Sequence, residues 1–564
     1  MSIGSAIGGS RDGIGTTELV GVLLIVCVAA TVQFRLAIRQ SLWADELFSL
    51  AIATGHSLEH PANQADPALG DYVEPANAVP AVTLRRYLEH ENPPAGLNRV
   101  LRAVSLSDTS PPLYYLLLNF WMRVAGATDL SLRVFSMAWA LASFPVLCLV
   151  AHRLGGKHAR RPAAAFLAAA PLTLWYATEG RMYSMLWFLA ISQVALTIEL
   201  HRLGSKTVLL VAWILIGAAG FLTHYFFAFA WAACAAWLFI EPALFTRRWL
   251  VAAAAVTGVL VLPWYVLVPG ILGRWRVTGD WLNRPLTATE AVRAPFDLAW
   301  NFLSGPRWAG PEIGDWVAGL VVGLTALAAL RLGRSNVFSG RRALVWLWLA
   351  AACVGPLVVD LLKGTRTAAV PRYALAGAPA ALLLVAYGVS LLPSKLRLVA
   401  VFSLVLTWSQ GVSSLFQSSD RAGEPFRRLG ESISASIRDS DVVLVHSIPS
   451  GVLGMARYLN PNVQVATWVG QLGQRRIPDD IQKLTGGHAK VVLVKIHDVG
   501  APAPEEAWLR EHAVVVEEVQ RKNARVLTFA PQRRELFAWA AEGDDTISPI
   551  GGALRPSISD RSRR

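Results

Sequence analysis

Two adjacent acids, Asp45 and Glu46, follow closely on the first long apolar stretch of the chain, in the sequence SLWADELFSL at 41–50. Trp43 and Phe48 flank them. Desolvation disfavours the charged form of a carboxyl group, so a carboxylate beside apolar surface becomes more basic and can take a proton from a hydroxyl. The alternative is the solvated start of a loop. These two residues, the acid pair, are therefore candidates for a catalytic base.

Further polar groups occur where two other apolar stretches end. The sequence WYATEGRMYSML at 175–186 contains Glu179, Arg181 and Tyr183, and FLTHYFFAF at 221–229 contains His224 and Tyr225. Glu179 is a candidate second acid oriented by Arg181. The alternative is a local ion pair, with the tyrosines in an interfacial belt. His224 is either a residue that lines the site or a hydrogen-bonded structural one.

Three basic residues occur close together in LLKGTRTAAVPRYALAGAP at 361–379, namely Lys363, Arg366 and Arg372, and Tyr373 follows the last of them. Lys supplies a point charge and Arg a planar fork, and both suit a phosphate group. The alternative is that these long side chains only reach from helix ends to the membrane surface. We refer to the three as the basic cluster; they predict an anionic ligand.

The composition is that of a membrane protein that carries some soluble mass. Of the 564 residues, 54% are hydrophobic and only 16% are charged, whereas a soluble domain has roughly 25% charged residues. The net charge of +13 does not indicate nucleic-acid binding, because the basic residues fall in short clusters between apolar stretches. The four cysteines lie within apolar stretches, so neither a disulfide framework nor a cysteine metal site is predicted.

Apolar stretches of about 20 residues predict membrane-spanning helices. Five basic segments between them fall in alternate loops, which the positive-inside rule makes cytoplasmic. Residues 1–16 fall on that side, and the acid pair, Glu179, His224 and the basic cluster fall on the other. The segment 110–126 is left out because it has only about 14 continuous apolar residues. The predicted spans are 17–38 (an uncleaved anchor), 131–152, 162–178, 184–201, 208–222, 224–241, 249–268, 313–332, 343–362, 370–391 and 395–416.

Outside the spans the sequence predicts two larger external regions. Residues 39–130 form a first external loop with in-plane helices, including an amphipathic pair at 82–106 broken at Pro93–Pro94. Residues 420–540 alternate strand and helix patterns, which predicts a small α/β domain with a partly parallel sheet. The tail at 541–564, rich in Gly, Ser, Pro and Arg, is predicted to be disordered.

The chain resembles the GT-C superfamily of membrane glycosyltransferases. It looks closest to the family 39-like branch, which includes protein O-mannosyltransferases and lipid A aminoarabinose and galacturonosyl transferases. The resemblance covers roughly residues 15–416, and its motifs are specific in combination rather than singly. The motifs are WADE at 43–46, SPPLYYLLLNFW at 110–121, EGRMY at 179–183, THY at 223–225 and PRY at 371–373.

This resemblance implies a polyprenyl-phosphate-linked sugar as donor and an envelope glycan, lipid or protein as acceptor. It implies that Asp45 is the general base, and that Glu46 and Glu179 orient the acceptor or, with Asp45, hold a divalent cation. The basic cluster would bind the donor phosphate, and His224 would line the same cavity. Arg181, Tyr183, Tyr225 and Tyr373 belong to the same motifs and count as substrate-binding candidates.

The resulting hypothesis is an inverting glycosyltransferase of the bacterial inner membrane that acts on the periplasmic side, surrounded by membrane lipids. A transporter or flippase of lipid-linked sugars would also need a basic groove, but it predicts charged or broken helices at mid-membrane and an internal repeat. A third alternative is a binding or assembly protein whose C-terminal domain is the active part. The sugar and the acceptor are not predicted.

Overall fold

A computed structural model of the chain describes residues 16–241, 247–274, 276, 282–304, 316, 319–326, 337–497, 503–521 and 523–531. The predicted tail at 541–564, residues 1–15 and most of the predicted span 313–332 lie outside the described residues.

The first loop is built from short helices that follow one long apolar helix. The acid pair lies in the first turn of the second helix, where the helix dipole favours negative charge. The fifth helix has 13 residues and is about 20 Å long, less than the roughly 30 Å of a bilayer core. This part contains α1 (Thr16–Arg39), α2 (Ala44–Ala53), α3 (Ala81–Arg85), α4 (Leu97–Ser107) and α5 (Leu113–Ala125).

The central part of the chain is a bundle of apolar helices. They are α6 (Asp129–Gly155), α7 (Lys157–Ala169), α8 (Pro171–Ala177), α9 (Tyr183–Leu203), α10 (Thr207–Phe221), α11 (Phe227–Ile240), α12 (Arg247–Tyr265), α13 (Val268–Leu272), α14 (Ala288–Ser304), α15 (Gly340–Lys363), α16 (Ala378–Ser390) and α17 (Ser394–Gln417). Within the described residues, six helices are long and apolar enough to cross a membrane: α1, α6, α9, α12, α15 and α17.

Two predicted spans differ from the helices that form. The stretch 162–178 is broken at Pro171, which starts α8, since a proline disfavours helical geometry in the residue before it. The predicted span 370–391 is wrong at its start, because three 3-10 turns occupy Thr367–Gly377 and α16 begins only at Ala378. This shift takes Arg372 and Tyr373 out of the helix and into a turn.

After α17 the chain forms a sheet with helices. The strands are β1 (Val79–Pro80), β2 (Val442–His446), β3 (Gln464–Trp468), β4 (Val491–Ile496), β5 (Ala513–Gln520) and β6 (Ala524–Pro531), and the helices are α18 (Phe426–Ser436), α19 (Pro449–Tyr458), α20 (Asp479–Thr485) and α21 (Pro504–His512). The strands follow the order β1-β3-β2-β4-β6-β5, and β2 pairs in parallel with both β3 and β4, as the strand–helix alternation predicts.

The first loop and this α/β part are joined by backbone and side-chain contacts. Strand β1 (Val79–Pro80) comes from the first loop and pairs antiparallel with β3. The carboxylate of Glu74 accepts a hydrogen bond of 2.8 Å from the backbone N–H of Val469. The α/β part therefore contacts the loop that carries the acid pair, whereas the domain boundary near 420 stays a prediction.

Candidate active site

Glu46 is fully buried in the first turn of α2. Arg133 of α6 donates to both of its carboxylate oxygens, from Nε to Oε1 at 2.8 Å and from Nη2 to Oε2 at 2.6 Å. The backbone N–H of Gly180 also donates to Oε1, at 2.9 Å. This bidentate, charge-assisted contact fixes the start of α2 against α6 and against the turn after α8.

Arg133 fixes the end of α1 as well. Its Nη1 donates to the carbonyl oxygens of Ala37 at 2.9 Å and Gln40 at 2.7 Å, and its Nη2 donates to that of Ser41 at 2.8 Å. The last carbonyls of a helix lack an intrahelical partner, and a guanidinium is a pure donor that can satisfy several of them. Arg133 therefore links the end of α1 to the start of α2.

Asp45, the neighbour of Glu46, has a different partner. Its Oδ2 accepts a hydrogen bond of 2.6 Å from Nη1 of Arg372. The side chains of Asp45 and Arg372 are 25% and 23% exposed, so a ligand can reach this pair. The guanidinium also lies over the ring of Trp43, 5.6 Å from its centroid. The structure thus joins the first predicted acid to one member of the basic cluster.

The turn that carries Arg372 is held by Asp360 near the end of α15. Its carboxylate accepts hydrogen bonds of 2.7 Å from the backbone N–H groups of Thr367 and Ala368. The hydroxyls of Thr365 and Thr367 donate to the same carboxylate, at 2.6 and 2.7 Å. A buried carboxylate with four donors is well satisfied, and it keeps the segment after α15 in tight turns that lead to Arg372.

Glu179 lies in the turn between α8 and α9 and is buried. Burial raises the pKa of Glu179 to about 7. Arg421 and Arg372 favour the charged form and oppose this rise, whereas Asp45 and Glu46 add to it. The two acids and the two guanidinium groups are thus close enough to influence Glu179, and they form one electrostatic unit with it.

Arg421, which follows α17, enters this unit from the α/β side and is fully buried. Its Nη2 lies 3.5 Å from Oε2 of Glu179, and its Nε lies 4.0 Å from Oε2 of Glu46. The guanidinium stacks on Trp175 at 4.2 Å and donates to Oε1 of Gln40 at 3.1 Å. Arg421 therefore sits between two of the predicted acids and holds both.

Arg181 does not orient Glu179 as predicted, because its guanidinium is engaged elsewhere. Nη1 of Arg181 lies 2.9 Å from Oδ2 of Asp108 and 2.7 Å from the hydroxyl of Tyr115, which itself donates to Asp108. The ion pair with Glu179 comes from Arg421 instead. Arg181 joins the turn after α8 to the segment between α4 and α5.

Aromatic residues form a wall beside these charges. The ring of Tyr183 lies 6.2 Å from that of His224, and the ring of Tyr373 lies 5.3 Å from that of Phe226. The backbone N–H of Phe226 donates to Nδ1 of His224 at 3.2 Å. Because Nδ1 accepts this hydrogen bond, the ring proton of His224 lies on Nε2. Tyr225 contacts Trp264, whose Nε1 donates to its hydroxyl at 3.3 Å.

The other two members of the basic cluster are placed differently from Arg372. Lys363 is the last residue of α15 and is exposed. Arg366 is half-buried, and its backbone N–H donates to the carbonyl of Leu282 at 3.2 Å. Across the described part of the chain, the ion pair with Asp45 comes from Arg372. Of the basic cluster, Arg372 is therefore the member that contacts the acid pair.

The acid pair does not form a shared cation site in this arrangement. Asp45 is paired with Arg372, and Glu46 is paired with Arg133. Of the residues that the structure describes, no group of three or more His, Cys, Asp or Glu side chains is arranged to hold a metal ion. The predicted role of Asp45 and Glu46 in binding a divalent cation thus has no ligand set to support it here.

Glu424 is a further residue beside the candidate site that the sequence did not predict. Its Oε2 accepts a hydrogen bond of 2.7 Å from the backbone N–H of Ala44, the first residue of α2, and its Oε1 lies 2.9 Å from Nε2 of His497. It therefore stabilises the start of α2, where Asp45 is located. Arg133, Arg421, Asp108 and Asp360 were missed as well; of these, Arg133 gave a signal, because it lies inside a predicted span.

An apolar cavity of about 690 Å³ lies between α14, α15 and α16. Trp300 and Leu303 of α14, Trp346 of α15 and Leu384 of α16 are among the side chains that line it. On α16 the lining runs from Ala381 to Gly388, and at α15 it comes from the first part of the helix.

No protein-family model matches the chain, and no curated protein matches its sequence. The crystal structure of ArnT from Cupriavidus metallidurans in the apo state matches with a TM-score of 0.56 at 13% identity, over 91% of this chain and 98% of that chain. The structure of ArnT from the same organism bound to undecaprenyl phosphate matches with a TM-score of 0.55 at 15% identity, over 90% and 97%. The chain therefore has the fold of these structures, which confirms the predicted α-helical, polytopic architecture.

Proposed function

We propose that the protein is an inverting glycosyltransferase that moves a sugar from a polyprenyl-phosphate donor to an acceptor hydroxyl. The observation that carries the proposal is the accessible pair of Asp45 and Arg372, joined by a hydrogen bond of 2.6 Å. Transfer by direct displacement needs a base for the acceptor and a cation for the leaving phosphate. This pair supplies both groups at one place.

In the proposed reaction, Asp45 removes the proton from the acceptor hydroxyl. The oxygen of that hydroxyl attacks the anomeric carbon of the donor sugar. The bond from that carbon to the phosphate oxygen breaks, and polyprenyl phosphate leaves with the bonding electrons. Arg372 stabilises the charge on the leaving phosphate. A guanidinium presents five N–H groups, so one side chain can contact a carboxylate and a phosphate at once.

The remaining acids are assigned positioning roles. Glu46 is buried and held by Arg133, so it orients the first turn of α2 and, through it, Asp45. Glu179, with its pKa near neutrality, sets the electrostatic field behind Asp45. Tyr183 and His224 form the wall against which the donor sugar packs.

The cavity between α14, α15 and α16 supports a polyprenyl donor, because its apolar walls suit an isoprenoid chain. The similar ArnT structure was solved with undecaprenyl phosphate, which is the same chemical class.

We place the reaction on the periplasmic side of the bacterial inner membrane, with the N-terminus cytoplasmic, because the five basic segments fall on the opposite side from the acid pair.

The test compares envelope glycans, by mass spectrometry, among cells that contain the protein, cells that lack it, and cells that express Arg372→Gln at a normal level. The proposal predicts one glycan signal that is lost in both altered strains, while the lipid-linked donor accumulates. A flippase would instead leave the donor on the cytoplasmic leaflet, which labelling of external donor would show. Glycans that are unchanged in the deletion strain would refute the proposal.

A further inference from the structure

A second cavity, of about 990 Å³, lies at the opposite end of the helix bundle from Asp45 on the predicted topology. It is lined by the first part of α1, the end of α6, the first part of α7 and the start of α17. Two contacts join α7 to α1 here, since Arg160 lies 3.2 Å from Glu18 and Arg161 donates to the carbonyl of Thr17 at 2.5 Å. The cavity is thus formed by four helices, α1, α6, α7 and α17.

The rim of this cavity is strongly basic. Lys157, Arg160, Arg161 and Arg397 line it, against one acid, Glu18. That acid is already paired with Arg160. Arg397 is held in place because its Nη2 donates to the carbonyl of Leu392 at 2.9 Å. Three positive groups therefore remain in excess at the mouth, which favours an anionic ligand.

The wall below the rim is apolar and faces outward. Ile25 of α1, Ala165 of α7, and Leu398 and Val401 of α17 line the cavity, and Leu398 is 71% exposed. Helices α1 and α17 are both long and apolar enough to cross a membrane. Basic groups directly above exposed aliphatic side chains at a helix end match a lipid, whose phosphate lies at the surface and whose acyl chains extend along the helices.

We propose that this cavity binds the headgroup phosphate of an anionic diacyl phospholipid, separately from the donor site at Arg372. The phosphate contacts Lys157, Arg161 and Arg397, and the acyl chains lie against Leu398 and Ile25. Such a lipid would tie α1 to α7 and α17 at the end of the bundle remote from the acid pair. The positive-inside rule alone requires basic residues at this end, but it does not require a cavity with an apolar wall beneath them.

The test uses the full-length protein in nanodiscs of phosphatidylcholine with a small fraction of phosphatidylglycerol or cardiolipin, and retained lipid is measured by native mass spectrometry. The variant is Lys157→Gln with Arg397→Gln. The matched control is Arg247→Gln with Arg248→Gln, which removes the same charge from two exposed residues at the start of α12. Thermal unfolding of both double variants confirms that they fold.

We expect the anionic lipid to be retained over phosphatidylcholine by the wild type and by the control. A basic residue near a membrane surface contributes about 1 kcal/mol to anionic-lipid binding, which is about fivefold in affinity, so the cavity variant should bind about 25-fold more weakly. Equal weakening in both variants would overturn the proposal, because it would show only diffuse electrostatics.

Two further arms separate the sources of phosphate. Inorganic phosphate at millimolar concentration should not displace the lipid, because it lacks acyl chains. Polyprenyl phosphate should compete only weakly, because it carries a single isoprenoid chain instead of two acyl chains. Displacement by inorganic phosphate would reassign the cavity to free anions, and displacement by polyprenyl phosphate at equal concentration would reassign it to the donor carrier; either result overturns the phospholipid assignment.

Discussion

The contact between Arg133 and Glu46 should be a main support of the site, and the variant Arg133→Met tests it. The substitution keeps a long side chain but removes the two hydrogen bonds to Glu46 and the three to backbone carbonyls at the end of α1. Glu46 is fully buried, so its carboxylate would keep only the N–H of Gly180 and the more distant Arg421. Removing one partner of a buried ion pair costs about 3–5 kcal/mol.

The assay is unfolding of the purified protein in mixed micelles, followed by circular dichroism, with Arg202→Met as the control. Arg202 pairs with Glu199 but is 37% exposed, and an exposed pair contributes about 0–1 kcal/mol. Because the buried charges are coupled, the double variant Arg133→Met with Glu46→Gln should lose less free energy of unfolding than the two single variants lose in sum. The expected difference is about 1–3 kcal/mol. If Arg133→Met lowers the free energy of unfolding no more than Arg202→Met does, the reasoning is refuted.

Three other predictions follow from the same contacts. Arg372→Gln should weaken binding of a polyprenyl-phosphate donor by about 10- to 100-fold, as expected for loss of a charge-assisted contact of about 1.5–3 kcal/mol. Lys363 is exposed, so Lys363→Gln should change donor binding less than about twofold. Equal effects of the two variants would contradict the assignment of Arg372 to the donor phosphate. Glu179 has a folded-state pKa of about 7 against an ordinary 4.5, so between these pH values the folded protein binds more protons than the unfolded one. The free energy of unfolding should therefore fall as the pH rises from 5 to 7. Glu179→Gln should remove this part of the pH dependence in thermal unfolding measured at several pH values, and an unchanged slope would show that Glu179 is not its source. A Cβ on Gly451 would lie 2.0 Å from Oγ of buried Ser447. Gly451→Ala should therefore destabilise the protein by about 1–3 kcal/mol, which thermal unfolding would measure. A melting temperature equal to that of the wild type would contradict the close packing.

Much of the membrane fold could be predicted because hydrophobic stretches and basic loops are local signals. Where the prediction failed, a local signal was outweighed by a distant contact. The stretch 370–391 is apolar enough for a span, yet Asp360 holds the preceding segment in turns through four hydrogen bonds. Pro371 and Gly377 within that stretch were the available signs that the helix would start later.

The candidate site could be predicted only as separate motifs. Asp45 and Arg372 are 327 positions apart, and no spacing rule connects them. Glu46 has the same sequence context as Asp45, but the rotation of about 100° between adjacent helix residues gives it a buried partner instead of an accessible one. Arg421 follows the last span, where a basic residue looks like an ordinary loop residue, and only the packing of α17 brings it between Glu46 and Glu179.

The central claim is that Asp45 is the base for transfer from a polyprenyl-phosphate sugar, and a single-turnover assay tests it most directly. Purified wild type, Asp45→Asn and the control Glu89→Gln, an exposed carboxylate of the same loop, are mixed with a radiolabelled polyprenyl-phosphate sugar and an acceptor extract. We expect Asp45→Asn to bind the donor but transfer at least 100-fold more slowly, in line with the contribution of a general base, and Glu89→Gln to transfer normally. Transfer by Asp45→Asn at the wild-type rate would contradict the account.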